Sequence, residues 1–296
     1  MRLLVLGVNG MLGHRLARSL ADRVEVWGTS RGPMRVPEGS VLDPSRHLTG
    51  VSATDFPTVA DALARSAPEV VVNCIGVVKQ RSAAKNAVPS IEINSLFPHR
   101  LAAACCDAGV RLIHLSTDCV FSGAKGMYGE SDVPDAEDLY GRSKLLGELT
   151  ESGCLTLRTS MIGWQLTQHT GLLGWFAANR GGNISGYRNV FFSGLSTESL
   201  ANLIGDLAVG EGPTEGLYHV SGERIDKNSL LARLDALLGW GTNITGVDEP
   251  ALDRSLDSSR FRAATGWMPP SWDEMLAGLA ADRAWYDALP RTATGD

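Results

Sequence analysis

The glycine pattern near the start of the chain constrains its fold more than any other feature. The residues from Gly7 to Gly13 read G-V-N-G-M-L-G, between a short apolar run at residues 2–6 and apolar residues at helical spacing through Leu20. Glycines allow a tight turn and a close backbone approach, and a helix N-terminus offers unpaired amides to an anion. In this position the pattern predicts a loop that binds the pyrophosphate of a dinucleotide; a plain strand-to-helix turn is the alternative.

The first half of the chain continues to alternate between strands and helices. Strands are predicted at residues 24–27, 69–75, 111–116 and 155–158, and helices at 57–66, 91–108 and 138–151. This alternation is typical of βαβ units and a parallel sheet. We therefore predict an α/β protein with a Rossmann-type doubly wound parallel sheet in a dinucleotide-binding domain at residues 1–160. The shorter elements and glycine-rich loops of residues 161–296 predict a smaller C-terminal α/β substrate-binding lobe, part of which returns to the Rossmann core.

Composition and charge exclude several classes of protein. The 296 residues include 27 basic and 33 acidic side chains, a net charge of −6, which argues against a dedicated nucleic-acid binder. No apolar run approaches the roughly 20 residues that a membrane helix needs. The N-terminus lacks the longer apolar segment of a secretory signal, which favours the cytoplasm. Local metal-ligand motifs are absent, so no metal is predicted.

The end of the second predicted strand indicates which dinucleotide binds. NAD-dependent enzymes usually carry an acidic residue there to bind the ribose 2′-hydroxyl. This chain instead has Thr29, Ser30 and Arg31, which offer two hydroxyls and a positive charge to a phosphate. We therefore predict that NADP(H) is preferred and that NAD(H) is a second option. The alternative is that Arg31 is a solvated surface residue.

A tyrosine and a lysine at helical spacing are the candidate catalytic pair. Tyr140 and Lys144 lie four residues apart, on the same face of the predicted helix. A nearby ammonium favours the phenolate and lowers the tyrosine pKa from about 10. That change would suit Tyr140 to general acid catalysis near neutral pH. Thr117 follows the strand at 111–116 and is expected at the ligand-binding end of the sheet.

Four segments together resemble those of extended short-chain dehydrogenases/reductases. They are Gly7–Gly13, Ser116–Phe121, Tyr140–Lys144 and the Arg-Thr-Ser run at 158–160. Within that family the sequences STDCVFSG at 116–123 and YGRSKLLGE at 140–148 are most similar to the dTDP-4-dehydrorhamnose reductase subgroup.

The resemblance implies that NADPH reduces the C4 ketone of a nucleotide-activated 4-keto-6-deoxy sugar. Tyr140 would donate a proton to the developing alkoxide, Thr117 would hydrogen-bond the carbonyl oxygen and Lys144 would hold the nicotinamide ribose. The implied cofactor-binding residues are Gly7, Asn9, Gly10, Met11, Leu12, Ser30, Arg31, Cys74, Ile75, Gly76, Asn94, Ser116, Tyr140 and Lys144. The implied substrate-binding residues are Asp118, Thr159, Ser160 and Met161.

Two positions depart from the subgroup's pattern and leave the sugar open. The rhamnose enzymes typically have tyrosine where this chain has Cys119 and tryptophan where it has Met161. A UDP-linked N-acetylated analogue therefore fits as well as the dTDP-linked sugar. Arg254 and Arg260 are candidates for holding its diphosphate, with solvated surface positions as the alternative.

Two other functions are compatible with the same motifs. One is a sugar-nucleotide epimerase or dehydratase that keeps NAD bound, although such enzymes commonly have the acid that is missing after the second strand. The other is a non-catalytic subunit that resembles the regulatory subunit of methionine adenosyltransferase. The sequence also permits a homodimer.

Overall fold

The computed structural model describes residues 1–34, 41–78, 86–166 and 171–289. Its strands are β1 (Arg2–Leu6), β2 (Glu25–Ser30), β3 (His47–Thr49), β4 (Val70–Asn73), β5 (Arg111–Thr117), β6 (Cys154–Thr159), β7 (Met161–Ile162), β8 (Asn183–Tyr187), β9 (Val190–Phe192), β10 (Leu195–Ser196), β11 (Gly216–His219), β12 (Ile225–Asp226), β13 (Asn243–Val247) and β14 (Leu252–Asp253). Its α-helices are α1 (Met11–Leu20), α2 (Phe56–Ser66), α3 (Ala87–Ile91), α4 (Phe97–Asp107), α5 (Leu139–Leu146), α6 (Leu172–Ala178), α7 (Thr197–Ala208), α8 (Lys227–Leu238), α9 (Ser259–Thr265) and α10 (Trp272–Asp287). A π-helix spans Glu92–Leu96, and 3₁₀ turns span Pro44–Arg46 and Asp118–Val120.

A seven-stranded parallel sheet forms the centre of the protein, in the order β11-β6-β5-β4-β1-β2-β3. The chain moves outward from β1 in both directions, which is the doubly wound arrangement. The carboxyl ends of the strands therefore meet at one edge, where such sheets bind ligands. The predicted fold class is confirmed.

Both faces of the sheet are buried, and β1 shows how the sequence achieves this. Leu3 and Val5 point into the core cluster that also contains residues of α1 and α7. Leu4 and Leu6 point into the opposite cluster, with residues of α2 and α4. Since successive side chains of a strand face opposite sides, a continuous apolar run is what a sheet covered on both faces requires.

The second half of the chain adds small sheets but also returns to the central one. β7 pairs with β10, β8 pairs with β13, and β9 lies between β12 and β14. β11 extends the central sheet beside β6, and α7 packs against α1. The division at residues 160/161 stays a prediction, since the elements after it contribute both to the small sheets and to the central sheet.

The long helix predicted at 91–108 is wrong in detail. The segment begins at the last residue of α3 and continues with the π-helix and α4. Pro98 has no amide hydrogen, so it cannot donate to the carbonyl of Asn94 four residues earlier. That carbonyl instead lies against the end of α5, where a Cβ on Gly147 would be 1.9 Å from the Asn94 oxygen. The interruption therefore coincides with a close contact between two backbones.

Two further expectations concern membranes and metals. Across the described ranges, no helix combines the length and apolar character needed to cross a bilayer. The same ranges contain no group of three or more His, Cys, Asp or Glu side chains placed to hold a metal ion.

Candidate active site

A cavity of about 360 Å³ opens at the carboxyl edge of the central sheet. It lies among the ends of β4, β5 and β6 and the start of α1. Most residues that the sequence singled out line it together. They are Gly10, Met11, Leu12, Cys74, Ile75, Gly76, Ser116, Thr117, Asp118, Tyr140, Lys144, Thr159, Ser160 and Met161.

The glycine loop leaves the first amides of α1 open to this cavity. Gly7 has a φ of +86°, a conformation that other residues rarely adopt. A Cβ on Gly13 would be 2.2 Å from the Gly7 carbonyl oxygen, so the loop and the helix touch through bare backbone. Gly10, the N-cap residue, has no side chain to bond those amides. The loop thus fits a pyrophosphate, which such amides bind.

Five residues expected to contact a cofactor do not line the cavity: Gly7, Asn9, Ser30, Arg31 and Asn94. The Asn9 amide donates to the Pro33 carbonyl at 3.1 Å, which ties the glycine loop to the segment after β2. The buried Ser30 hydroxyl lies 2.7 Å from Nε2 of His47 on β3, and Arg31 is exposed. Asn9, Ser30 and Arg31 therefore lie around the end of β2 rather than along the cavity.

Tyr140 and Lys144 occupy the first turns of α5. The Asp138 carboxylate caps this helix by accepting from the Gly141 amide at 2.8 Å. The Lys144 ammonium is buried and donates to the Leu115 carbonyl at the end of β5, at 2.6 Å. Burial lowers the pKa of Lys144 to about 8, against the opposing field of Glu148. The lysine is therefore held between the catalytic helix and the sheet.

The expected lowering of the Tyr140 pKa is wrong. Burial of the hydroxyl raises the pKa of Tyr140 well above its ordinary value, and the nearby Cys119 acts in the same direction. The Thr117 hydroxyl opposes this change without reversing it. Tyr140 consequently keeps its proton throughout the neutral range, as a proton donor must.

Asn94 supports the site from the π-helix. Its side-chain oxygen accepts from the Val77 amide at 2.8 Å, and its amide nitrogen donates to the Val77 carbonyl at 3.0 Å and to the Ser143 hydroxyl at 3.1 Å. Ser143 lies between Tyr140 and Lys144 on α5. The asparagine thus connects the segment after β4, which lines the cavity, to the helix that carries the candidate catalytic pair.

A buried ion pair lies next to the candidate catalytic residues. Glu148 and Arg158 are only 7% and 6% exposed at their side chains and make two hydrogen bonds of 2.7 Å. The Ser116 hydroxyl donates to the same carboxylate at 2.6 Å, and Arg158 also lies 3.2 Å from Nε2 of His219. This network joins the end of β5 to β6 and β11. Sequence reasoning missed it, since no local pattern links residues on separate strands.

Charged side chains also line the cavity next to Thr117. Asp118 is buried, and that burial raises the pKa of its carboxyl against the fields of Arg254 and Lys227. The Thr117 hydroxyl donates to this carboxyl at 3.1 Å. Lys227 and Phe192 also line the cavity, although the sequence did not identify either residue. The acidic N-cap residue Asp226 predicts where α8 begins, but it does not predict the direction of the Lys227 side chain.

A family model described as the RmlD substrate binding domain matches residues 1–233. The chain belongs to this family. The expected resemblance to the dTDP-4-dehydrorhamnose reductase subgroup of extended short-chain dehydrogenases/reductases is thereby confirmed, as is the expectation of an oxidoreductase.

Two relatives match this chain over nearly their full lengths. One is the "probable low-salt glycan biosynthesis reductase" of Haloferax volcanii, 28% identical over 94% of this chain and 96% of the relative. The other is the dTDP-4-dehydrorhamnose reductase of Aggregatibacter actinomycetemcomitans, 26% identical over 95% of this chain and 98% of the relative.

Solved structures show that proteins with other names share this fold. The dTDP-4-dehydrorhamnose reductase of Bacillus anthracis in complex with NADP aligns with a TM-score of 0.77 and 20% identity, over 95% of this chain and 99% of that one. The UDP-glucose 4-epimerase of Thermotoga maritima aligns with a TM-score of 0.80 and 17% identity, over 96% and 99%. The fold is therefore compatible with both reduction and epimerisation.

Proposed function

We propose that this protein is an NADPH-dependent reductase of the C4 ketone of a nucleotide-activated 4-keto-6-deoxy sugar. One observation carries the proposal: Thr117, Tyr140 and Lys144 line the same cavity as the uncapped N-terminus of α1. Those amides would hold the pyrophosphate of a dinucleotide in the same cavity as the three side chains that would act on a ketone. The cavity therefore has the parts that ketone reduction needs.

The residues divide the chemistry between them. NADPH supplies the hydride when bound. Tyr140 is protonated at neutral pH and donates its proton to the alkoxide oxygen, which is more basic than a phenolate. The Thr117 hydroxyl stabilises the same oxygen by exchanging its hydrogen bond to Asp118 for one to the substrate. Lys144 donates one of its three N–H groups to the Leu115 carbonyl, which leaves two for ribose hydroxyls.

The preference for NADP(H) belongs to the same proposal. The end of β2 has no carboxylate, since its last residues are Thr29 and Ser30 and the next is Arg31. Arg31 is exposed, and it lies next to the segment whose Pro33 carbonyl accepts from the Asn9 amide. An arginine in this position favours a 2′-phosphate over a 2′-hydroxyl. NAD(H) remains the second cofactor that this site accepts.

The identity of the sugar is proposed only as a class. Cys119 and Met161 both line the cavity, at positions where the rhamnose enzymes typically have larger aromatic side chains. Their smaller side chains leave more room beside Thr117, which favours a sugar with an added substituent such as an N-acetyl group. The dTDP-linked deoxy sugar and the UDP-linked N-acetylated sugar are therefore the two leading candidates.

The experiment is NADPH oxidation against a panel of dTDP-, UDP- and GDP-linked 4-keto sugars, with Tyr140→Phe as the control. We expect turnover with at least one 6-deoxy sugar and a loss of about 10²- to 10⁴-fold in kcat for the variant. Full turnover by Tyr140→Phe would remove the tyrosine from its assigned role. Purified protein that retains NAD through gel filtration would favour the epimerase or dehydratase, and NADPH binding without reduction of any keto sugar would favour a regulatory subunit.

A homodimer and a cytoplasmic location are further parts of the proposal. Val88, Ile91 and Leu146 are exposed to 71%, 48% and 63%, and they lie on the packed elements α3 and α5. An exposed apolar face of this kind is typical of a protein interface. Light scattering on the purified chain tests the dimer, and fractionation of cells tests the location.

A further inference from the structure

Two cations are found among the described residues that line the cavity, and they differ in what they bind. Lys144 donates to the Leu115 carbonyl and belongs to the catalytic helix. Lys227 reaches the cavity from the second half of the chain, as the first residue of α8. Within the described part of the structure, its ammonium has no acidic partner within ion-pair distance. None of the described residues accepts a hydrogen bond from this ammonium either, so with respect to them its N–H donors are available to a ligand in the cavity.

An aromatic ring positions this lysine. The Lys227 nitrogen lies 3.4 Å from the ring centroid of Phe192, which is itself buried. A cation over a ring face is attracted by the ring's quadrupole without losing its N–H donors to an acceptor. The neighbouring Asp226 does not compete for the ammonium, because its carboxylate caps α8 by accepting from the Ser229 amide at 2.8 Å. Lys227 is thus held in place but remains available.

The charges around Lys227 indicate what it receives. Asp118 is the carboxyl whose field acts on it, yet the two groups form no ion pair. A nucleotide sugar carries its charge on the diphosphate, and a cation inside a cavity binds such a group more strongly than it binds a hydroxyl. The two arginines that the sequence offered do not line the cavity, and each donates to a backbone carbonyl: Arg254 to that of Phe121 at 2.8 Å and Arg260 to that of Leu217 at 2.9 Å.

We propose that Lys227 binds the diphosphate of the nucleotide sugar and thereby selects nucleotide-activated over free sugars. The inference rests on the proposed function for the class of ligand, and it adds the residue that recognises the charged part of that ligand. The reactive ketone then lies toward Thr117 and Tyr140, and the diphosphate lies toward α8 and Phe192. Lys227 binds substrate and takes no part in proton transfer.

The test compares Lys227→Met with a matched control, Lys125→Met. Lys125 is an exposed lysine that pairs with Asp132 and lies outside the cavity lining, so both variants lose one positive charge. Calorimetric titrations of the NADP⁺-saturated proteins use dTDP, UDP and dTDP-glucose, none of which requires turnover. We expect Lys227→Met to weaken all three by about 10- to 100-fold, Lys125→Met to change none by more than about twofold, and NADP⁺ affinity to stay the same in both.

Each outcome decides one question. Unchanged binding of dTDP and UDP by Lys227→Met would overturn the inference, even if the KM for a keto sugar rose, since that pattern places the lysine on the sugar. Equal losses in both variants would also overturn it, because they would reflect net charge alone. Lys227-dependent binding of dTDP-glucose without reduction of any keto sugar would uphold the inference while removing the proposed reaction.

Discussion

The Tyr286 hydroxyl on α10 lies 2.6 Å from Nε2 of His14, one turn into the helix that follows the glycine loop. Nδ1 of the same ring lies 2.7 Å from the Gly10 carbonyl oxygen. A carbonyl only accepts, so Nδ1 carries the hydrogen and Nε2 accepts from the tyrosine. Burial lowers the pKa of His14 to about 4, which keeps this neutral form throughout the physiological range. The last helix of the chain therefore supports the cofactor loop through one imidazole.

Removing this hydroxyl should weaken both the fold and the cofactor site. Tyr286→Phe leaves Nε2 of the fully buried His14 without a donor, which should cost about 1–3 kcal/mol of unfolding free energy. We expect a lower Tm and a several-fold higher Kd for NADPH, measured by thermal unfolding and fluorescence titration. Tyr187→Phe, at an exposed ring, is the control. An unchanged Kd in Tyr286→Phe would mean that the contact stabilises the fold only.

The Glu148–Arg158 pair should be sensitive to the loss of one charge. Glu148→Gln leaves the Arg158 guanidinium buried without a counter-ion, at a cost of about 3–5 kcal/mol. Denaturant unfolding measures this change. The control is Asp61→Asn in the exposed Asp61–Arg65 pair, which should cost less than about 0.5 kcal/mol. If both variants lost the same small amount, burial would not be what makes the inner pair important.

The affinity for a nucleotide sugar should depend on pH through Lys227. Burial lowers the pKa of Lys227 to about 8, so the ammonium loses its proton as the pH rises through that value. Binding of dTDP-glucose, whose diphosphate does not titrate in this range, should then fall by up to about tenfold per pH unit. Calorimetry between pH 6.5 and 9.5 measures this slope.

Lys227→Met provides the control for that slope, because Lys144 also has a pKa near 8 and lines the same cavity. The variant should bind more weakly and without the pH dependence. Retention of the wild-type slope in Lys227→Met would assign the titration to Lys144.

Cofactor discrimination should depend on Arg31. Arg31→Ala removes the positive charge at the end of β2, and we expect about tenfold weaker binding of NADPH with little change for NADH. Arg65→Ala, on the exposed face of α2, is the matched control. Parallel fluorescence titrations of the two cofactors supply the comparison. Unchanged NADPH affinity in Arg31→Ala would show that another group binds the 2′-phosphate.

The parts of the site that the sequence predicted are those with a local signature. The glycine loop and the Tyr140–Lys144 spacing each depend on the geometry of a single turn or helix, so the pattern of residues is enough to find them. The apolar runs of β1 and β4 are equally local, because a strand buried on both faces must be apolar throughout.

The parts that it did not predict depend on contacts between distant segments. Lys227 acquires its place from the packing of α8 against β9, and the Glu148 carboxylate is bound between Ser116 and Arg158, which the register of β5 with β6 brings together. The predicted direction of the Tyr140 pKa shift was wrong. The spacing of Lys144 is visible in the sequence, whereas the burial of the Tyr140 hydroxyl is not. Burial is a property of the folded cavity, and it is the largest influence on the pKa of Tyr140.

The bare contact between Gly147 and the Asn94 carbonyl bears on how this family can diverge. The helix that carries Tyr140 contacts backbone atoms of Asn94. Substitutions elsewhere in the sequence do not change these atoms. Side chains across most of the molecule can therefore change while the tyrosine stays in register with the cavity. By the same reasoning, a side chain at Gly147 would displace this helix from the backbone of Asn94, and Tyr140 with it.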